Sequence, residues 1–249
     1  MMGEKTGISY ADHTFSPWWG CAKVSLGCKN CSAETVAKRL GVFWGPNARR
    51  MPIAESTWRQ PLAWDRKAAR DGVRRRVLTS MCDVFEDRRD LDIFRMRFIT
   101  LMERTPNLDW LLLTKRPENM VPMTGCWKKW PDNVWAGATV ENQEMADLRI
   151  SPLLEVPARM LFLSTEPLLN SIDFDGCWLA KLDWIVIGCE RGRYRRPCPL
   201  AWVESIVAQC QTAAVPVFVK QLNINGRVSY NPAEWPENLR IMQYPQEKS

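Results

Sequence analysis

Short apolar stretches recur along the chain, and most are followed by a polar segment and then by apolar residues at helical spacing. A continuous apolar stretch such as residues 110–114 is typical of a strand that is buried on both faces of a parallel sheet. Apolar positions three and four apart, as in residues 91–104, predict amphipathic helices between the strands. The predicted strands cover residues 15–19, 77–80, 110–114, 134–137, 160–163, 184–187 and 217–219. The predicted helices cover residues 32–40, 91–104, 143–150 and 200–212, with a further helix that begins near Pro61 and ends by residue 70.

The alternation of strands and helices predicts one α/β domain over residues 1–249, built on a parallel sheet. About seven strand–helix repeats in a chain of this length predict a parallel (β/α) barrel of about six to eight strands, closed or nearly closed. A doubly wound sheet is the alternative, but no G-x-G-x-x-G sequence follows any predicted strand. Two segments lie outside the repeats: an excursion at about residues 42–75 and a C-terminal extension from about residue 224, which is expected to add a small hairpin.

The composition is ordinary for a globular protein. No apolar segment approaches the roughly 20 residues that span a membrane, and the N-terminal residues lack the apolar core of a signal peptide. We therefore expect a cytoplasmic protein whose nine cysteines stay reduced or bind metal. The 34 lysines and arginines exceed the 28 acidic residues and give a net charge of +6. Basic runs at residues 49–50, 74–76 and 191–196 are either solvated faces or phosphate contacts.

The segment from residue 21 to residue 31, called the cysteine loop below, carries Cys21, Cys28 and Cys31 at C-x6-C-x2-C spacing. Thiolates select zinc, copper(I) or iron–sulfur clusters. His13 offers a fourth ligand for a closed Cys3His zinc site. Three cysteines alone fit an iron–sulfur cluster with one open iron, and unligated thiols that only pack are the third alternative. The other cysteines are scattered and are expected at packing or surface positions: Cys82, Cys126, Cys177, Cys198 and Cys210.

Polar side chains follow most of the predicted strands. In a β/α barrel the carboxyl ends of the strands carry the active site, so these residues are expected to meet at one mouth, although any one of them could be only a helix cap. Guanidinium groups suit phosphate oxygens, which makes the basic members candidates for a phosphorylated substrate. The polar strand-end residues are Asp83, Thr114, Lys115, Arg116, Thr139, Glu141, Asn142, Ser164, Glu166, Glu190, Lys220 and Gln221.

Several short motifs occur in order along nearly the whole chain. They are Pro-Trp-Trp-Gly-Cys ending at Cys21, Ser-Leu-Gly-Cys-Lys-Asn-Cys ending at Cys31, Thr-Lys-Arg-Pro from Thr114, Val-Glu-Asn ending at Asn142, Ser-Thr-Glu-Pro-Leu from Ser164, Glu190, and Lys220-Gln221. Together they resemble a phage-encoded family of radical-SAM-like barrel proteins, related to the radical SAM isomerases of thymine hypermodification. The cysteine spacing departs from the C-x3-C-x2-C usual in the radical SAM superfamily.

The resemblance implies a [4Fe–4S] cluster on Cys21, Cys28 and Cys31, with one iron open to S-adenosylmethionine, which would be cleaved to a 5′-deoxyadenosyl radical. It implies an external electron donor and a nucleotide or DNA substrate, with isomerisation of an amino-acid adduct of thymine in the phage-infected bacterial cell. The expected cofactor-binding residues are Ser80, Asp83, Thr114, Thr139, Glu141, Asn142 and Ser164. The expected substrate or phosphate contacts are Lys115, Arg116, Arg191, Arg193, Lys220 and Gln221. The expected catalytic residues are Glu166, Glu190 and Cys189.

Two other classes of function fit the residues. A zinc-stabilised nucleic-acid-binding protein without catalysis would use the cysteines structurally and bind DNA in a salt-sensitive manner. A hydrolytic barrel nuclease would hold divalent metal ions on Asp83, Glu141 and Glu166.

Overall fold

A computed structural model describes residues 6–125, 127 and 129–246, so Cys126 and the first five residues, where a signal peptide would begin, lie outside the described part. The strands are β1 (His13–Thr14), β2 (Trp18–Trp19), β3 (Met51–Pro52), β4 (Arg75–Leu78), β5 (Leu108–Thr114), β6 (Val134–Thr139), β7 (Leu161–Thr165), β8 (Trp184–Gly188), β9 (Val217–Ile224) and β10 (Arg227–Ser229). The helices are α1 (Ser32–Arg39), α2 (Glu55–Asp71), α3 (Asp92–Glu103), α4 (Met120–Thr124), α5 (Gln143–Leu154), α6 (Gly176–Leu179) and α7 (Leu200–Thr212).

Eight of the strands form one curled sheet in the order β1-β4-β5-β6-β7-β8-β9-β10. The pairs from β1 to β9 are parallel, and β10 pairs with β9 in the antiparallel direction. In the described residues β1 and β10 are the two edges of this sheet, so it is a half-barrel. The expected curled parallel sheet is confirmed, and of the two expected forms, closed or incomplete, the closed barrel was wrong. The hairpin expected from residue 224 is confirmed, because Asn225 and Gly226 both have positive φ and turn β9 into β10.

The two faces of the sheet are covered differently. The helices pack on the outer face, where the largest apolar cluster joins strand residues to residues of α2, α3, α5 and α7. The inner face packs on itself and on Tyr10, without any helix residue in its cluster. A doubly wound sheet would carry helices on both faces. The inner face of this half-barrel is instead filled by large side chains from the strands: Leu78, Leu111, Trp135, Phe162, Trp184, Val186 and Phe218.

Two predicted elements begin at other residues than expected. The segment that pairs with β4 is His13–Thr14, in register with Val77 and Leu78, while Trp18–Trp19 leaves the sheet and pairs with Met51–Pro52. Helix α2 starts at Glu55 and contains Pro61 in its interior. Pro61 therefore does not lie in the first turn, where it was predicted. It is buried, on the same face of the helix as Trp58 and Trp64. None of the helices in the described ranges has the length and apolar character needed to cross a membrane.

Candidate functional site

A cavity of about 220 Å³ opens at the carboxyl ends of the strands, between the sheet and the cysteine loop. Most of the residues predicted for the site line it. They are Cys21, Cys28, Cys31, Ser80, Asp83, Thr114, Lys115, Arg116, Thr139, Ser164, Glu166, Cys189, Glu190, Arg191 and Lys220. Four predicted residues are not part of its lining: Glu141, Asn142, Arg193 and Gln221.

Two of these four have other surroundings. The Asn142 side chain caps helix α5 by accepting a hydrogen bond from the amide of Met145 at 2.9 Å, which is the ordinary role of asparagine at this position. Arg193 is exposed, and its guanidinium lies over the ring of Tyr194. Neither residue faces the cavity, in contrast to the cofactor and phosphate contacts expected of them.

The carboxylate that follows β4 binds an arginine that holds the first cysteine. Asp83 pairs with Arg116 at 2.7 Å, and the pair is nearly buried. Arg116 donates a second hydrogen bond to the carbonyl of Ala22 at 2.9 Å, and its Nη1 lies 3.9 Å from Cys21 Sγ. The hydroxyl of Thr114 donates to Asp83 at 2.6 Å. Arg116 was expected to bind phosphate, but its guanidinium instead bonds to the Asp83 carboxylate and to the Ala22 carbonyl.

The carboxylate that follows β6 binds the middle of the cysteine loop. Glu141 Oε1 accepts hydrogen bonds from the amide of Gly27 at 3.1 Å and from the hydroxyl of Ser25. Glu141 Oε2 accepts from Arg149 at 2.7 Å, and Arg149 also donates to the carbonyl of Thr139 at 2.8 Å. Glu141 is 0 % exposed, so this carboxylate is wholly used inside the protein.

The carboxylate that follows β8 binds the end of the loop. Glu190 Oε2 accepts from Asn30 Nδ2 at 3.0 Å and from Arg196 Nε at 2.9 Å. The next residue, Arg191, donates to the hydroxyl of Ser32 at 3.0 Å, at the start of α1. Together, the residues after three strands hold the cysteine loop from its first thiol to its last.

The residues on the loop side of these contacts, Ser25, Gly27 and Asn30, were not predicted from the sequence, and neither was Arg149. One signal was available for Arg149. It lies three residues after Ala146 and four before Leu153, on the buried stripe of α5. A charged residue on such a stripe is rarely buried without a partner, and Glu141 is that partner.

A second group of charges lies at the floor of the cavity. Lys220 Nζ contacts both oxygens of Glu166 at 2.6 Å, and Gln221 Nε2 donates to Glu166 Oε1 at 2.8 Å. Arg191 Nε lies 3.7 Å from the same oxygen. Burial alone would raise the pKa of Glu166, but the Lys220 and Arg191 charges outweigh it and hold that pKa below its ordinary value. The floor therefore carries two cations and one carboxylate.

Next to this group lies a hydroxyl with an unused hydrogen-bonding capacity. Ser164 is 1 % exposed, lines the cavity, and its Oγ has no hydrogen-bond partner among the described residues. A buried polar group without a partner is costly, so an unfilled hydroxyl at a cavity wall indicates a place for a ligand atom or water. Cys189 lies on the same wall, where burial raises the pKa of its thiol to about 12. Cys189 is therefore a protonated thiol at neutral pH.

All cysteines in the described part of the chain are free thiols. The three loop cysteines share the cavity wall, but no three His, Cys, Asp or Glu residues within the described ranges are grouped ready to hold a metal ion. Burial, followed by the charge of Asp83, raises the pKa of Cys21 to about 12, and Arg116 lowers it in part. Metal binding would release that proton. Of the others, Cys198 and Cys210 are buried and Cys177 is exposed, while Cys82 is half-buried and lines the cavity, in contrast to the packing or surface position expected of it.

The residues proposed for the two alternative metal sites have other contacts in the structure. His13 stacks on the ring of Trp64 at 4.2 Å, on the helix-covered side, and does not line the cavity as a zinc ligand would. Of the three acids of the nuclease hypothesis, Asp83 and Glu166 line the cavity and Glu141 does not. Each is paired with a cation: Asp83 with Arg116, Glu141 with Arg149 and Glu166 with Lys220.

Four of the five arginines in the first two basic runs pair with acids of the fold. Arg50 forms a buried pair with Glu86, in which Nε donates at 2.8 Å. Arg74 pairs with Asp109 at 2.6 Å, and Arg75 and Arg76 both approach Asp12. These four arginines therefore have acidic partners within the fold.

A search of curated proteins gives no match to this chain. One family matches residues 5–235 and thus covers the strands, the cysteine loop and the whole cavity. The chain belongs to this family, which is described as protein of unknown function (DUF5131).

Proposed function

We propose that this protein is a radical S-adenosylmethionine enzyme that holds a [4Fe–4S] cluster on Cys21, Cys28 and Cys31. Its substrate would be a nucleotide or DNA base, and the reaction the isomerisation of an amino-acid adduct of thymine. The observation that carries the proposal is that all three thiols of the cysteine loop are free and line one cavity at the carboxyl edge of a curled parallel sheet. That edge is where β/α folds carry their chemistry.

The donor set fits this cofactor better than it fits zinc. The cysteine loop itself supplies three thiols and no histidine, which suits a cluster with one open iron, whereas a structural zinc site is closed by four ligands. His13, the only histidine of the chain, is stacked on Trp64 away from the cavity. When bound, such a cluster supplies one electron to S-adenosylmethionine and so starts radical chemistry.

The residues of this chain would bind and orient the reactants. The Ser164 hydroxyl is free to bond to a ligand atom, and the cations of the floor, Lys220 and Arg191, exceed the single charge of Glu166. An anionic group such as the carboxylate of an amino-acid adduct would balance that excess. Buried apolar side chains at that end of the cavity, among them Tyr10 and Leu78, keep bulk water from it.

Lys115 is the strongest candidate for a phosphate contact. It lines the cavity and is half-buried, and its ammonium makes no ion pair or hydrogen bond within the described residues. In this it differs from Arg116, whose guanidinium is held by Asp83 and Ala22. A lysine without an internal partner at a cavity rim is suited to a substrate phosphate as a point charge.

The test is the reductive cleavage of S-adenosylmethionine by anaerobically prepared protein. Wild-type protein with a strong reductant should release 5′-deoxyadenosine, and Cys28→Ser should abolish the release because one cluster ligand is lost. Cys177→Ser is the matched control, since Cys177 is exposed and remote from the cavity lining, and it should retain full release. Absence of 5′-deoxyadenosine from iron-loaded wild-type protein would overturn the proposal.

A further inference from the structure

We propose that Glu141 is a positioning residue for Cys28, which it holds in place through Ser25 and Gly27, and that it does not bind a ligand itself. The inference rests on the proposed function in so far as Cys28 serves as a metal ligand. It assigns to Glu141 a role other than the cofactor contact that its strand-end position indicates.

Both oxygens of this carboxylate are occupied by protein groups. Oε1 accepts from the Gly27 amide at 3.1 Å and from the Ser25 hydroxyl, and Oε2 accepts from Arg149 at 2.7 Å. The Glu141 side chain is fully buried and is not among the groups that line the cavity. A ligand in the cavity therefore has no direct access to this carboxylate, while the cysteine loop is bonded to it at two points.

The contact between Gly27 and Glu141 leaves no room for a side chain on residue 27. A Cβ placed on Gly27 would lie 2.7 Å from Glu141 Oε1 and 2.9 Å from its Cδ. Real Cβ atoms do not approach other atoms so closely, so a side chain at this position would displace either the Glu141 carboxylate or the loop and would break their contact. Gly27 thus has a steric reason to be glycine, and the reason is Glu141.

The anchored turn contains Cys28. Residues Leu26–Cys28 form a single 3-10 turn, in which the Cys28 amide donates to the carbonyl of Ser25 at 3.0 Å. The Ser25 hydroxyl also lies 4.0 Å from Cys28 Sγ. Glu141 therefore fixes Ser25, which precedes the turn, and Gly27, which precedes Cys28. These two contacts together position the Cys28 thiol.

Arg149 fixes Glu141 in turn. Its guanidinium donates to Glu141 and, at 2.8 Å, to the carbonyl of Thr139 in the last position of β6. The pair is buried, with the two side chains 3 % and 0 % exposed. An ionised carboxylate can accept from the loop on one oxygen and from the arginine on the other, whereas an amide has only one accepting oxygen.

The test compares Glu141→Gln with Glu144→Gln, the same chemical change at an exposed position of α5. Hydrogen exchange is followed by mass spectrometry in peptides that cover residues 24–31, using the metal-free protein. Loss of a charge-assisted hydrogen bond should speed exchange in these peptides by about tenfold or more. The reason is that such a bond shifts the equilibrium between the closed and open forms of the turn by about that factor. Peptides of α7 should exchange as in the wild type, which verifies that the variant is folded. Iron content after anaerobic reconstitution is the second readout.

Faster exchange in residues 24–31 together with a lower iron content for Glu141→Gln alone supports the inference. Unchanged exchange overturns it, whatever the iron content. Where the wild-type protein takes up iron, faster exchange with wild-type iron content overturns it as well. If the wild-type protein takes up no iron, the proposed function fails, and the exchange data alone decide whether Glu141 tethers the turn. Should Glu141→Gln fail to fold, Gly27→Ala tests the same contact from the loop side and should loosen the same peptides.

Discussion

The ion pair between Asp83 and Arg116 gives the sharpest test of the site geometry. Replacing Arg116 with methionine keeps much of the side chain's length and removes its charge. In the structure this change leaves the nearly buried Asp83 carboxylate without its partner and takes one hydrogen bond from the carbonyl of Ala22. The same residue was expected from the sequence to bind phosphate, and the two roles predict different outcomes for the Arg116→Met variant.

The magnitude follows from the burial of the pair. The two side chains lie 2.7 Å apart and are only 10 % and 7 % exposed. Removing one partner of a buried pair costs about 3–5 kcal/mol, because a charge remains that is neither solvated nor compensated. Removing both charges costs much less, so the double variant with Asp83→Asn should recover most of the loss. We expect about 3 kcal/mol for the single variant, the lower end, since the pair retains some contact with solvent.

The assay is urea unfolding followed by tryptophan fluorescence, with Arg193→Met as the control. Arg193 is exposed, so the control should stay within about 0.5 kcal/mol of the wild type. A free energy of unfolding for Arg116→Met that equals that of the control would refute the reasoning. A loss confined to the affinity for a phosphorylated ligand would then favour phosphate binding by Arg116.

Three further changes test other parts of the molecule. Gly137→Ala should lower the free energy of unfolding by about 2–3 kcal/mol, because its Cβ would lie 2.3 Å from the ring of Phe162 in the inner core. Glu166→Gln should flatten the acid side of the stability–pH curve. The folded pKa of this carboxyl lies below 4.5, so its contribution is complete above about pH 5 and is lost as the pH falls through that lower value. His13→Phe should keep the stacking on Trp64 and leave the metal content unchanged.

Each of these has a contrasting result. Gly176→Ala is the control for the glycine variant, since an added Cβ there meets no atom within 4 Å, and equal losses for the two would contradict the packing argument. An acid slope of Glu166→Gln identical to that of the wild type would show that the carboxyl titrates at the same pH in the folded and unfolded chain. Loss of metal from the His13→Phe variant would instead favour the hypothesis of a Cys3His zinc site.

Much of the fold followed from apolar patterning. Helix α7 was predicted at its observed bounds, residues 200–212, and the central strands were placed to within a few residues, since a strand buried on both faces has few polar interruptions. The first strand could not be placed. The aromatic pair Trp18–Trp19 is more strand-like than His13–Thr14, but the register with β4 gives the sheet edge to the latter. Whether the sheet closes into a barrel depends on pairing between its first and last strands, which the local apolar pattern does not encode.

The site was predicted as a set of residues but not as a set of contacts. Position at a strand end indicates which edge of the sheet a residue occupies, and the shared cavity agrees with that for most of the set. It does not indicate whether a carboxylate faces ligand or protein. Glu141 meets Ser25 across 116 positions of sequence and Glu190 meets Asn30 across 160, so tertiary geometry alone decides their roles.

The central claim is that the cysteine loop holds an iron–sulfur cluster, and its most direct test is the iron and acid-labile sulfide content of protein purified without oxygen. The account predicts about four irons and four sulfides per chain, with the visible absorption of a cluster. Cys21→Ser, Cys28→Ser and Cys31→Ser should each lose most of this content, and Cys177→Ser should keep it. A colourless protein with one zinc per chain, or iron that survives the loss of all three loop cysteines, would contradict the account.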